Sequence, residues 1–285
     1  DFNGGSTLTV TGDTTVGAEN PAARVNLTIA NGTAVAAHVT ELNVGVNTAG
    51  AGKVTGNLTV TSGASLDASD VGELSVGRVA NVGWQAQAEG TLLLGTDSMI
   101  DLGTTAAPAT LNIGWNESTD SSPSHPYPNH STATGLLDAT NGSLTAELSE
   151  LRVGMTAGRG TADGTLIMGN GTAITTPTAN IGMGGTPEGG ATGTLDFRGG
   201  SLTFTGADTS LNFGSGSLII ADGIEFAVGD ANDRLGSLRI GYNVSGIDLA
   251  DTTIDQTGDE FTAYVADELS VGRVANVGWQ AQAEG

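Results

Sequence analysis

Cysteine is absent from all 285 residues, so neither a disulfide framework nor a zinc–thiolate cluster can hold this chain together. Aromatic residues make up only 4% and leave little bulk for a compact core of ordinary kind. Basic residues number nine against 31 acidic ones, and Lys53 is the only lysine. A phosphate backbone is gripped by clustered Lys and Arg, so no nucleic acid is expected as a partner, nor is an anionic membrane surface. No apolar run approaches the ~18 residues of a membrane span. No signal segment is visible and the first residue is Asp1, which points to a processed product or a piece of something longer. The acids are scattered singly, so the net charge of −22 reads as solvated strand faces and turns that keep copies apart.

What is present is glycine, 45 of them, with an apolar fraction of 38% drawn mostly from Leu, Val, Ile and Ala. That is too much apolar surface for a disordered chain. Its even spread suits a thin core drawn out along an axis.

The chain repeats. Residues 73–90, ELSVGRVANVGWQAQAEG, return letter for letter as 268–285. The glycine closing the opening strand of this stretch recurs as Gly17, Gly45, Gly77, Gly114, Gly154, Gly182, Gly214, Gly241 and Gly272, at intervals of 28, 32, 37, 40, 28, 32, 27 and 31 residues. A unit near 30 residues lies in the range of solenoid coils. The series also restarts after six units, because Gly17, Gly45 and Gly77 precede Gly214, Gly241 and Gly272 by 197, 196 and 195 residues. A six-coil module of roughly 195 residues is thus itself duplicated, one and a half copies being present.

Each unit offers three short strands. The first is typified by Leu74-Ser75-Val76-Gly77, with polar residues at its outward position: Asn43, Ser75, Asn112, Arg152, Asn180, Asn212, Arg239 and Ser270. The second runs as Leu58-Thr59-Val60 or Leu92-Leu93-Leu94, and the third, after a Gly or Ser, as Ser65-Leu66, Ser143-Leu144, Ser201-Leu202 or Thr253-Ile254. Inward–outward alternation with period two marks half-buried strands. The recurring glycine suits a corner of the coil, where positive φ or close contact excludes a Cβ. Helical periodicity is nowhere sustained, and an array of immunoglobulin-like sandwiches would need modules of ~100 residues. The expected fold is therefore all-β: a parallel β-helix, or β-solenoid, of about nine coils of roughly 30 residues. It forms one continuous domain over 1–285. The stretch 115–135 holds three of the seven prolines and is expected to leave the stack as a surface loop, the usual place for function in such folds.

Candidate sites are few. Asn-X-Ser/Thr occurs at Asn26, Asn31, Asn57, Asn116, Asn129, Asn141, Asn170 and Asn243, candidates for covalent glycans if the chain is secreted. The competing reading is ordinary turn chemistry. His125 and His130 share the 115–135 loop with Asp120, too few converging ligands for a metal centre. No cofactor is expected. Ca²⁺ is the one cation considered, at Gly229-Asp230-Ala231-Asn232-Asp233, a turn-like acidic cluster without the calcium nonapeptide of other β-helices. Thr-X-Thr pieces such as Thr59/Thr61 are too irregular for an ice-binding face and read as strand filler. Trp84, Trp115 and Trp279 each follow a glycine and are expected to cover a corner or a neighbouring coil, sugar stacking being the alternative. The paired acids or basic residue in a cleft that polysaccharide-cleaving β-helices need are not recognised here, and basic residues are scarce, so no enzyme is expected.

The pattern in residues 56–77, GNLTVTSGASLDASDVGELSVG, and more loosely in 164–185, resembles the glycine-rich β-helix repeat of bacterial autotransporter passengers and PEP-CTERM-associated surface proteins. The resemblance implies an exported surface or matrix protein, structural or adhesive. The expectation is a segment of an extracellular, glycosylated filament or cell-surface fibre in which modules stack on copies of themselves, end to end. The alternative is an adhesin stalk or carbohydrate-binding solenoid using the 115–135 loop.

Overall fold

The computed structural model describes residues 7–11, 14–16, 24–48, 50–80, 85–118, 131–157, 160–184, 190–243, 249–255, 260–274 and 282–284. Every regular element among them is a strand. The strands fall into three ladders whose members pair in parallel, each with the equivalent strand one unit along the chain. This is the arrangement of long parallel sheets that a β-helix builds. The first ladder runs through Glu41–Asn47, Glu73–Val79, Ala109–Asn116, the later part of Ser143–Thr156, Thr178–Ile181, Ser210–Phe213, Leu235–Asn243 and Val265–Val274. The second includes Gly52–Val60, Ala86–Leu94, Thr132–Ala139, Thr161–Met168, Gly190–Phe197, Gly216–Ile220 and Leu249–Asp255. The third takes in Ala34–His38, Ser65–Ala68, Met99–Leu102, the start of Ser143–Thr156, Gly171–Thr176 and Ser201–Phe204.

Register explains the repeat. In the second ladder Leu58, Leu92, Leu137, Leu166, Leu195 and Leu218 pair one onto the next, and each is buried. A one-residue slip would turn the whole column outward, so the unit length can vary only in the connections. The alternation read from the sequence is realised directly, with every second residue of Ala86–Leu94 buried.

The recurring glycines have the conformation and crowding expected of a corner, although the strands Glu41–Asn47, Glu73–Val79 and Ala109–Asn116 continue past Gly45, Gly77 and Gly114. Gly45, Gly77, Gly114, Gly154, Gly182, Gly241 and Gly272 share a φ of 62–71°, while Gly17 lies outside the described residues. A Cβ on Gly77 would stand 1.8 Å from the Thr134 carbonyl oxygen. The glycines of the second ladder answer from the other side: a Cβ on Gly90 would stand 2.1 Å from the Gly77 nitrogen and 2.3 Å from the Val44 oxygen. Two glycine columns therefore press backbone to backbone and pinch the interior into a waist. On one side lies the long Leu/Val/Ile core; on the other lies a separate small cluster of Val79, Ala86, Ala88 and Ala133. Gly214 is the exception. Its unit passes from Phe213 through Gly214 and Ser215 directly into Gly216–Ile220, so the small lobe is missing there and the glycine lacks the positive φ of the others.

Two expectations are corrected. Thr253-Ile254 belongs to the second ladder, since Ile254 pairs with Leu218; Phe261–Ala263 follows it and pairs with Phe226–Val228. Of the 115–135 stretch expected to leave the stack, Trp115 and Asn116 complete one strand and Thr132–Ala139 begins the next, while 119–130 lie outside the described residues.

Candidate functional site

The outer face of the first ladder is where polar chemistry concentrates. Its outward positions are polar as expected, yet Asn43, Ser75, Asn112 and Asn212 are buried. Longer side chains to either side roof them over. Ser75 Oγ donates to Glu73 at 2.6 Å and accepts from Asn112 Nδ2 at 3.1 Å. Arg152 donates to Glu150 at 2.5 Å, and Glu150 accepts from Asn180 at 2.8 Å. Asn212 donates to Asn180 at 2.9 Å, and Arg239 donates to Asn212 at 3.0 Å and to Glu268 at 2.9 and 3.0 Å. A spine of hydrogen bonds thus runs along the strand stack, with each amide polarising the next.

Beside the spine, the residue after the recurring glycine sets a cation next to an aromatic in two places, the other described positions being Val46, Met155, Met183 and Ser215. Arg78 pairs with Trp115, and Tyr242 with Arg273. The Arg78 and Arg152 guanidinium carbons lie 4.7 and 4.4 Å from the Trp115 ring centroid, those of Arg239 and Arg273 5.2 and 5.6 Å from that of Tyr242. Arg78 is also held by Glu73 and donates to Glu117 at 2.6 and 2.9 Å. Sequence reasoning foresaw Trp115 covering a neighbouring strand but missed its two arginines. The signal was available, since Arg78 and Arg273 occupy the same phase in both copies, each five residues after a glutamate. The Nε1 of Trp115 is buried without a hydrogen-bond partner.

The sequons divide. Asn26, Asn31, Asn141 and Asn170 are exposed; Asn57 is half-buried and donates to Asn26 at 2.6 Å. Asn116 cannot carry a glycan in the folded chain, which corrects that expectation. It is fully buried in the small lobe, its Nδ2 donates to the Ser131 and Thr161 carbonyls at 3.0 and 2.9 Å, and its Oδ1 accepts from Ser118 N and Ser131 Oγ. Asn47 does similar work two units earlier, donating to the Gly50, Gly52 and Gln87 carbonyls. Asn129 and the side chain of Asn243 lie outside the described residues, as do Trp84, Trp279, Asp120, His125 and His130.

In the acidic turn considered for Ca²⁺, Asp230 Oδ1 accepts from Asn232 N at 2.6 Å and Asp233 N at 2.8 Å. These backbone donors pull its carboxyl below the ordinary range and engage the oxygen locally. Among the described residues no three His, Asp or Glu side chains converge as a metal would require. No described helix is long and apolar enough to cross a membrane.

The third ladder is interrupted once. Ser201–Phe204 pairs only backward with Gly171–Thr176, and Phe226–Val228 pairs only forward with Phe261–Ala263. Between them opens a groove of about 370 Å³, floored by Phe197, Leu202 and Phe204 and rimmed by Glu225, Asp230 and Asp233. No protein-family model, curated protein or solved structure matches the chain.

Proposed function

We propose that the three ladders close into a solenoid of about nine coils, and that it serves as a structural segment of an extracellular filament or surface fibre. Modules stack head to tail along the strand-stacking direction. One observation carries this reading: each strand of a ladder pairs in parallel and in register with its equivalent one unit on, as Glu41–Asn47, Glu73–Val79 and Ala109–Asn116 do, so every unit presents the same kind of edge to the next. A strand edge of this kind is a template for another strand, and a contact between unlike ends generates an open polymer. Exposed sequons at Asn31, Asn141 and Asn170 suit covalent glycans that shield the flanks of such a fibre. No catalytic role is proposed.

Purified chain examined by negative-stain electron microscopy and sedimentation should form unbranched filaments of constant width, and Leu269→Glu should leave it monomeric. Wild-type chain that stays monodisperse at high concentration would overturn the filament reading. The second reading, an adhesin stalk or carbohydrate-binding solenoid, would use the 115–135 loop, of which 119–130 lie outside the described residues, while the Trp115 ring is engaged by Arg78 and Arg152.

A further inference from the structure

We infer that the gap between Ser201–Phe204 and Phe226–Val228 is a hinge, which closes by parallel pairing with Thr203 opposite Ala227. The hinge lies inside the stack and stands whether or not copies of the chain join into a filament. Its first warrant is the internal duplication. Residues 8–11, LTVT, return as 202–205, LTFT, and residues 27–37, LTIANGTAVAA, as 218–228, LIIADGIEFAV. Both of the latter make the same turn, with Thr33 N donating to Ala30 O at 3.0 Å and Ile224 N to Ala221 O at 3.1 Å. In the first copy the two strands pair, Leu8 on Val35, Thr9 on Ala36 and Val10 on Ala37. In the second copy their equivalents stand apart across the groove.

The two walls match in that register. Thr205 N donates back to Thr176 O at 3.2 Å, so by the alternation of a parallel ladder the N–H and C=O of Leu202 and Phe204 face the groove. Across it, Phe226 N donates to Glu260 O at 3.1 Å and Tyr264 N to Val228 O at 3.0 Å, which turns the N–H and C=O of Ala227 back toward the groove. Closure lets Ala227 N–H donate to the Leu202 carbonyl and Phe204 N–H to the Ala227 carbonyl. The side chains agree, since Thr203 and Ala227 are exposed while Leu202, Phe204, Phe226 and Val228 are buried. What parts the walls is a slip between ladders. Leu102, Ala146, Ile174 and Leu202 stack one on the next, as do Leu92, Leu137, Leu166 and Leu195. Yet the first set follows the second by 10, 9, 8 and 7 residues, whereas Phe226 follows Leu218 by 8. The groove opens at the step where this shortening reverses. There the Phe226 ring lies between Phe197 and Phe261, at centroid distances of 4.5 and 5.6 Å. The first and second ladders stay paired across the same step, so one wall swings about the two that hold.

Because the chain has no cysteine, the closed register can be trapped directly. Thr203→Cys combined with Ala227→Cys should form an internal disulfide under mild oxidation, since parallel partners ~4.8 Å apart suit that bond. Ala173→Cys with Ser201→Cys, partners across the paired step just before, is the positive control. Thr203→Cys with Glu225→Cys, two residues out of register, should react about tenfold more slowly or less. Amide hydrogen exchange followed by NMR is the second readout. Locking should slow the Phe204 and Ala227 amides about tenfold or more relative to the reduced protein. Inserting one threonine between Ser201 and Leu202, as Thr7 stands between Ser6 and Leu8, makes the connection equal to that between Leu218 and Phe226. It should slow the same two amides with no disulfide present. Failure of 203/227 to trap where 173/201 does, trapping without register preference, or a locked form whose two amides exchange as before would each overturn the inference. An insertion that leaves both amides fast while the disulfide slows them would uphold the hinge and overturn the slip as its cause.

Discussion

A single methyl group decides the most at Gly77. Alanine there would need a left-handed backbone and would drive its Cβ into the Thr134 carbonyl, so both backbone columns would have to part. Gly77→Ala is expected to lose about 4 kcal/mol or more in urea unfolding, whereas an ordinary Gly→Ala change within a strand gains about 0.5–1 kcal/mol. Asn116 is the polar counterpart. Asn116→Ala strands the Ser131 and Thr161 carbonyls in the small lobe, and a loss of about 3 kcal/mol should appear in the same measurement. Expressed in a glycosylating host, the chain should carry no sugar at Asn116 by peptide mass mapping, whatever the occupancy of Asn31, Asn141 and Asn170. Asp67 gives a pH signature. The hydroxyl of Ser69 and then its backbone N–H hold this carboxyl below its usual range. A depressed folded pKa adds stability above the ordinary carboxylate value, lost as pH falls through the depressed one. Asp67→Asn should therefore be slightly less stable than wild type at pH 7, by under about 1 kcal/mol for an exposed group, and the two should converge once pH has fallen through the depressed pKa.

The strand is the scale at which sequence and structure agree best, and where their differences teach most. The column of Leu58, Leu92, Leu137 and Leu166 was legible because period-two alternation and a fixed glycine phase leave one face to bury. The two-lobed interior was not. Gly90 and Gly135 look like turn residues when read alone, and only their meeting with Gly77 and Gly114 shows that they narrow the interior. Asn116 stood beside a proline-rich stretch and read as loop, since nothing in its neighbours says that its amide turns inward to hold loop carbonyls. The break between Ser201–Phe204 and Phe226–Val228 was equally hidden, because both segments alternate as good strands do. On the outer face, a double-mutant cycle between Arg78→Ala and Trp115→Ala should return a coupling of about 1 kcal/mol. A value near zero would reduce the stacked pair to coincidental proximity.

At the scale of the whole molecule, charge opposes the end-to-end stacking proposed for copies of the chain. With a formal charge of −22 and a pI near 4.1, copies repel at neutral pH and lose that repulsion on acidification. Light scattering should show association rising as pH falls toward 4, and added salt at pH 7 should shift the curve in the same direction by screening. The core opposes nothing: Leu92→Ala is expected to cost about 2–5 kcal/mol, with its column neighbours Leu58 and Leu137 feeling the cavity first. The waist has one more consequence. Whatever the length of chain beyond the paired glycines, from a lone Ser215 to the residues between Asn116 and Thr132, the leucine column keeps step. That side of the molecule is a free margin, where a foreign epitope could be spliced between two rungs and carried outside without the spine taking notice.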